Sequence, residues 1–362
     1  MAYELLKQSL TVKKTVFPNR LVLAPIQTNY ATANGEATDR LIGFHERIAK
    51  NHVGLSIVGA TGVSATSKLG DHAHCLFEDG HVTAARKLFD AIRQAGSTPA
   101  VQIAHGGRVL TPDLTGGDVV GPSAIPSPLT GIEPRELTTE EVEEIVAQFV
   151  RSAEAAKSAG AEMVEFHAAH SYLLNQFLSP AANQRSDKFG GSTEKRASIV
   201  REILKKTRDR VGEDFVLGVR MSVDEYVEGG LTIDESRELV KMFIEDGLDI
   251  IHVSAGGHDS GPRMIQEAMD GNIIRLAGEI KKEVEIPVIA VGGVQKLEQA
   301  ENALGEGMTD MVALGRALIA DPELVTKTLE GRPETVEECT GCLQCFMPGD
   351  EHGMTCSVNE GL

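Results

Sequence analysis

Eight short apolar runs rich in β-branched residues recur along the 362-residue chain, at positions 21–24, 54–60, 99–104, 162–167, 215–221, 249–254, 286–291 and 310–314. Between them lie segments with helical spacing and charged faces, at 82–94, 138–158, 194–210, 233–245, 272–283 and 297–304. A strand apolar on both faces must be covered on both, and intervening amphipathic helices achieve this when the strands run parallel. Helix starts carry suitable caps: Thr138 before Thr139-Glu140-Glu141, Ser192 before Thr193-Glu194, and Thr232 with Glu235 as a capping box. The strand starts recur on average about every 41 residues, the spacing of a (β/α)8 TIM barrel with insertions. A doubly wound sheet is the competing arrangement. It usually carries G-x-G-x-x-G after its first strand, and neither that pattern nor a P-loop occurs here. The sequence therefore predicts an α/β barrel over residues 1–330. From Gly331 the alternation stops, and 331–362 reads as a cysteine-rich extension.

Charge and cysteine placement narrow the function classes. With 53 acidic and 35 basic side chains the net charge is −18, which argues against a nucleic-acid partner and against anionic membranes. No apolar run approaches the ~18–20 residues of a membrane span. The start, Met1-Ala2-Tyr3-Glu4-Leu5-Leu6, lacks the basic and apolar regions of a signal peptide, so a soluble cytoplasmic protein is expected. With 11 Phe, 4 Tyr and no Trp, the core must rest on Ala, Val, Ile and Leu. Cys75 stands alone and reads as a buried small hydrophobe, whereas Cys339, Cys342, Cys345 and Cys356 crowd the last 24 residues. A disulfide framework would spread its cysteines through the chain. C-x2-C-x2-C with a distant fourth Cys is one way to hold a [4Fe–4S] cluster. Zinc usually takes two separated C-x2-C pairs, so iron–sulfur is the expected occupant, with zinc or no cofactor as the alternatives.

Two long excursions, 106–134 and 171–192, follow the third and fourth strands at the ends where barrel enzymes build their sites. His167, His170 and Tyr172 stand at the end of the fourth strand. As a metal pair the histidines lack H-E-x-x-H and a nearby third ligand. As imidazole donors they would polarise a substrate oxygen, with the Tyr172 phenol as proton source. Gln102, in Gln102-Ile103-Ala104-His105-Gly106-Gly107-Arg108, is donor and acceptor together and suits the edge of a heterocycle such as flavin. Arg220 lies inside the apolar fifth strand. It would stabilise an anionic reduced flavin, or form a salt bridge with Glu165 or Asp249. Gly292-Gly293 and Gly315-Arg316, after the last two strands, mark a phosphate site without identifying its carrier.

With these residues in place, the chain resembles the Old Yellow Enzyme family of FMN-dependent NADH:flavin oxidoreductases. The likeness is to the branch with a cysteine-rich segment, which includes 2,4-dienoyl-CoA reductase, enoate reductases and trimethylamine dehydrogenase. The matching motifs run from Asn19-Arg20-Leu21 and Ala24-Pro25 through Gln102, His105-x-x-Arg108 and His167-x-x-His170-x-Tyr172. They continue with Asn183-Gln184-Arg185-x-Asp187-x-x-Gly190-Gly191-Ser192, Arg220, Gly292-Gly293, Gly315-Arg316 and the four tail cysteines. The resemblance implies that Ala24, Pro25, Ile26, Gln27, Ala60, Gln102 and Arg220 hold the isoalloxazine of FMN, and that Gly292, Gly293, Gly315 and Arg316 hold its phosphate. It implies that His167 and His170 anchor the substrate oxygen, that Tyr172 protonates carbon, and that His258 assists the tyrosine. Gln27 is a departure, since many relatives place Cys or Thr there.

The expected activity is an FMN-dependent ene-reductase acting on a small unsaturated substrate, with NAD(P)H as donor, in a homo-oligomer. Related multidomain proteins continue into flavin- and nucleotide-binding domains, whereas this sequence ends at Leu362. Electrons are therefore expected from NAD(P)H directly, or from a donor protein or subunit through the cluster. The alternatives are an amine or alcohol dehydrogenase that passes electrons from FMN to the cluster, and a non-catalytic electron-transfer subunit.

Overall fold

A computed structural model describes residues 3–346 and 353–362. Its centre is a closed barrel of parallel strands: β1 Leu21–Leu23, β2 Leu55–Gly62, β3 Thr98–Ala104, β4 Met163–Ala168, β5 Val216–Ser222, β6 Ile250–Ser254, β7 Val288–Val291 and β8 Met311–Leu314. Each strand pairs in parallel with the next, and β8 closes on β1. The predicted (β/α)8 barrel is thus the observed fold, with all eight strands where the apolar runs placed them.

The outer layer is α1 Asp39–Ala49, α2 Asp79–Gln94, α3 Thr139–Ala159, α4 Thr193–Val211, α5 Ile233–Glu245, α6 Asn272–Lys281, α7 Leu297–Gly305 and α8 Leu324–Leu329. Helix α3 starts with the expected reciprocal cap: Thr138 Oγ1 accepts from the Glu141 N–H, and Glu141 accepts from the Thr138 N–H. At α5 the box is half made. Thr232 accepts from the Glu235 N–H, but the Glu235 carboxylate turns to Arg196 at 2.6 Å, because that guanidinium is buried beside it. The sequence pattern named no helix between the first two strands. Helix α1 fills that place, capped by Thr38, and its apolar stripe Leu41, Phe44 and Ile48 is interrupted by Gly43.

Inward-facing residues alternate along each strand. The lower barrel is apolar: Val22, Leu55, Ile57, Ala100, Met163, Val216, Ile250, Ile289, Met311 and Ala313 pack with Val12 and Phe17. The last two belong to an antiparallel hairpin, Leu10–Val12 with Thr15–Phe17, that plugs the end where the strands begin. There Thr98 Oγ1 donates to the Val16 carbonyl, and Lys13 pairs with Asp249 at 3.3 Å. Further up, the same inward rows turn polar, as Gln102, Glu165 and His252 two positions on and Arg220 four positions beyond Val216. All four are buried, and the open end of the barrel is therefore the polar one. Among the described residues no helix is long and apolar enough to cross a membrane.

Three other buried histidines set the acid limit of the fold. Burial drives His45 and His74 down to about 3 and His105 to about 4. Each is neutral in the native state but takes up a proton near its ordinary value of about 6.5 when unfolded. Their contribution is complete above about pH 6.5 and is lost as pH falls, on the order of 2 kcal/mol per histidine at pH 5. Urea unfolding midpoints should therefore drop markedly between pH 7 and pH 5. Equal midpoints at the two pH values would contradict the neutral buried histidines.

Candidate active site

Beneath the barrel mouth lies a polar floor. Glu165 of β4 is fully buried, accepting from Gln102 Nε2 at 2.8 Å and from His252 Nδ1 at 2.8 Å. Arg220 stands on β5 between them, in register with both His167 and His252. Burial lowers the Arg220 pKa, with the Glu165 charge opposing that shift. Neither expected salt bridge to Arg220 forms among the described residues. Asp249 pairs with Lys13 and Arg208 at the opposite end of the barrel, and Glu165 acts on Arg220 only through its field.

Above the floor, β4 ends in a turn built from left-handed backbone, with φ of +62° at His170 and +64° at Ser171. Asn175 Oδ1 accepts from the Ser171 N–H, Gln176 Nε2 donates to the Ser171 carbonyl, and Ser222 Oγ accepts from the His170 N–H. These bonds replace the ladder that such backbone cannot make. The turn brings His167, His170 and Tyr172 together: the His167 ring centre lies 5.1 Å from that of His170 and 4.9 Å from that of Tyr172. His170 Nε2 is tied to Ser254 Oγ at 2.7 Å, whereas the buried His167 Nδ1 has no partner among the described residues. The two histidines are therefore not equivalent donors.

The β6 loop supplies the remaining wall. Gly257 passes so close that a Cβ there would sit 2.5 Å from both the His170 carbonyl carbon and Ser171 Oγ. That approach sets His258 Nε2 3.2 Å from the Tyr172 hydroxyl. Asp259 next to it is anchored by Arg108 at 2.5 Å and by a bond from its N–H to Ser171 Oγ. Burial, reinforced by the Arg220 charge, holds His167 and His170 well below the ordinary imidazole value. His258 is lowered by burial against the pull of Asp259. Burial pushes Tyr172 up to about 12, with Arg220 opposing. The cluster thus offers neutral imidazoles and a protonated phenol at neutral pH.

The other expected residues ring the same mouth. Ala24, Pro25, Ile26 and Gln27 leave the top of β1, and Ala60 lies near the top of β2. Gln27 Nε2 donates to Asn29, while its buried Oε1 lacks a partner among the described residues. Gly292 and Gly293 turn at the end of β7 with φ of +138° and +64°, and a Cβ on Gly293 would lie 2.2 Å from the Ala268 carbonyl oxygen. Only glycine fits there. Gly315 and the half-buried Arg316 follow β8. Among the described residues, His167 Nδ1, Arg220 Nε, His252 Nε2 and Gln27 Oε1 are buried polar atoms without a protein partner. Donors and acceptors gathered at one barrel mouth, beside a glycine turn and Arg316, fit a polar-edged heterocycle that carries a phosphate, as FMN does. Two cavities of about 410 Å³ lie elsewhere. One is lined by Leu6, Pro18 and Leu329, the other by Thr11, Leu248 and Pro287, and neither includes a residue of the mouth.

The tail folds back on the barrel beside this mouth. Tyr30 Oη donates to the Met354 carbonyl, the Met354 N–H donates to Thr28, and Asn359 Nδ2 donates to the Ile319 carbonyl. Cys339, Cys342, Cys345 and Cys356 are free thiols. Burial pushes Cys345 up to about 11, with the Arg316 charge opposing. Cys342 is drawn down to about 7, chiefly by its bond with Ser357. Among the described residues no three potential ligand side chains gather as a metal site. The sulfurs are nonetheless arranged as acceptors: Cys339 Sγ takes the Gly341 N–H, and Cys356 Sγ takes those of Val358 and Asn359. Such N–H···S bonds suit thiolates that carry a cluster.

Sequence reasoning treated Glu165 only as a possible partner of Arg220 and did not single out His252, Ser254, Ser222 or Asp259. A signal for two of them was present: Glu165 stands two residues before His167, and His252 two before Ser254, on inward rows. The motif from Asn183 to Asp187 proves to be a knot between the two long loops. Arg185 donates to the carbonyls of Pro122 and Leu137 and pairs with Asp187 at 2.6 Å, and Asn183 bonds the carbonyls of Phe177 and Phe189.

A family model described as NADH:flavin oxidoreductase / NADH oxidase matches residues 6–335. An NADH oxidase of Thermoanaerobacter brockii is 41% identical over 333 residues, covering 90% of this chain and 51% of that protein. A cinnamate reductase of Clostridium sporogenes is 33% identical, covering 99% of this chain and 58% of its own. The solved structure of a 2-naphthoyl-CoA reductase with 2-naphthoyl-CoA superposes with a TM-score of 0.93 at 32% identity, covering 99% of this chain and 57% of that one. The chain spans about half the length of these three proteins.

Proposed function

Because the chain belongs to the NADH:flavin oxidoreductase / NADH oxidase family, we propose that it is an ene-reductase, reducing the C=C bond of an enone, enoate or enoyl thioester. The observation that carries this reading is the gathering of His167, His170 and Tyr172 over a floor that holds Gln102 and Arg220. The names of the cinnamate reductase and the 2-naphthoyl-CoA reductase support the same substrate class. Gln102, Arg220, Gln27 and the strand-end residues Ala24, Pro25, Ile26 and Ala60 would hold the ring of FMN, and Gly292, Gly293, Gly315 and Arg316 its phosphate. When bound, FMN supplies the hydride for the β-carbon.

The chain's own residues do the rest. His167, with His170 beside it, donates to the substrate carbonyl and stabilises the charge that develops on its oxygen. Tyr172 delivers its proton to the α-carbon, and His258, in hydrogen-bond contact with the phenol, restores it from solvent. Mixed anaerobically with reduced enzyme, a cyclic enone should reoxidise the flavin and yield the saturated ketone. Bleaching of oxidised enzyme by an amine, with no response to enones, would reverse the assignment.

In this reading residues 1–330 form the flavin barrel and 331–362 bind the cluster. Cys339, Cys342, Cys345 and Cys356 would hold a [4Fe–4S] cluster, and FMN would take its electrons either from NAD(P)H directly or from a donor protein through that cluster. Their free thiols suit a reducing compartment such as the cytoplasm. Anaerobically purified protein should contain about four irons per chain. The Cys345→Ser variant should lose most of that iron while keeping its FMN. Zinc in place of iron would contradict the iron–sulfur reading, and iron content unchanged by the substitution would contradict the ligand set.

A further inference from the structure

The residue at the centre of the floor has no part in the steps above. Glu165 is fully buried in the barrel, although a buried carboxylate is costly and an apolar side chain would fill the same space. We propose that Glu165 is a positioning residue: it fixes the Gln102 carboxamide and the His252 imidazole in the orientations they present to the flavin, and so sets the flavin's redox potential. The inference rests on the flavin reading given above.

The argument is one of donors and acceptors. A carboxylate accepts and does not donate, so the end of Gln102 facing Glu165, 2.8 Å away, must be its Nε2. The Gln102 Oε1 is thereby turned to the side of Gly59, where a built Cβ would lie 3.4 Å from it. The same rule places the His252 proton on Nδ1, which donates to the other carboxylate oxygen at 2.8 Å. Burial keeps that imidazole neutral, so Nε2, without a partner among the described residues, is an acceptor. One carboxylate thus turns two ambiguous side chains into acceptors beside the Arg220 donor, and its charge moderates that of the guanidinium. In Glu165→Gln the new amide could donate to Gln102, which frees the carboxamide to rotate, and the Arg220 charge would lose its counterweight. Both changes favour an electron-rich reduced ring.

The test is dye-equilibration potentiometry on the FMN-loaded full chain. Glu165→Gln should raise the two-electron potential by at least about 30 mV, a tenfold change in favour of reduced FMN, with a shift in the visible absorbance of the bound flavin. In the Gln102→Leu background the same substitution should move the equilibrium less, because only the lost counterweight to the Arg220 charge then remains. A potential unchanged by Glu165→Gln, or a shift undiminished by Gln102→Leu, overturns the proposal. Should Glu165→Gln not fold, Glu165→Asp keeps the charge but withdraws it from Gln102. It should then shift the potential in the same direction by a smaller amount, and no shift overturns the proposal. Wild-type protein that binds no FMN ends the flavin reading and this inference together. Wild type that binds FMN, with an unresponsive variant, ends this inference alone.

Discussion

Replacing Tyr172 with phenylalanine should slow alkene reduction ~10²–10⁴-fold, the usual worth of a positioned proton donor, while FMN remains bound. The phenol stands over His167 with ring centres 4.9 Å apart, and its hydroxyl is 3.2 Å from His258 Nε2. Phenylalanine fills the same space, so the turn at His170 and Ser171 should survive. Reduction of the flavin by NAD(P)H should be nearly unchanged, because that half of the cycle takes no proton from Tyr172. The pH profile gives an independent check. Burial raises the phenol to about 12, so the acid form persists through the range where an ordinary tyrosine near 10 would ionise. Wild-type alkene reduction should therefore hold past pH 10 and fall only toward 12. Stopped-flow measurement of the two half-reactions separates these effects, and a Tyr172→Phe enzyme that reduces alkene at the wild-type rate would remove the tyrosine from its role.

The histidine pair should show the second large effect. Removing one donor to a developing oxyanion typically costs ~10²–10³-fold, and His167→Ala should fall in that range for kcat/KM. His170→Ala should cost less, because its Nε2 is already engaged by Ser254 at 2.7 Å while His167 Nδ1 has no protein partner among the described residues. Burial and the Arg220 charge keep both rings neutral. The mechanism therefore uses N–H donors rather than imidazolium, and neither histidine should introduce an acid limb near 6.5. Steady-state kinetics with a fixed enone compares the two variants. Equal losses, or a larger loss at His170, would contradict the asymmetry.

The barrel was readable because a strand covered on both faces leaves an almost unbroken apolar run, and eight such runs at regular spacing admit few other arrangements. The mouth was readable where chemistry concentrates in sequence, as at His167, His170 and Tyr172, or where glycines pair with a cation, as at Gly315-Arg316. The floor was harder to see. Glu165 and His252 are single polar residues inside apolar strands, and their partnership joins β4 to β6 across 87 residues of chain. No local pattern encodes that contact. The Thr232–Glu235 cap failed to close for a similar reason, since Arg196 on another helix claimed the carboxylate. The spacing of the four cysteines was visible in sequence, but among the described residues they do not gather as a metal site, because how closely their sulfurs approach depends on how the tail folds against Thr28, Tyr30 and Ile319.

The central claim is tested most directly by adding FMN to the purified protein, removing the excess and recording the visible spectrum. One tightly held FMN per chain, with Gly293→Val and Arg220→Leu each weakening its retention, is the predicted result. A protein that stays colourless after FMN is offered would contradict the account.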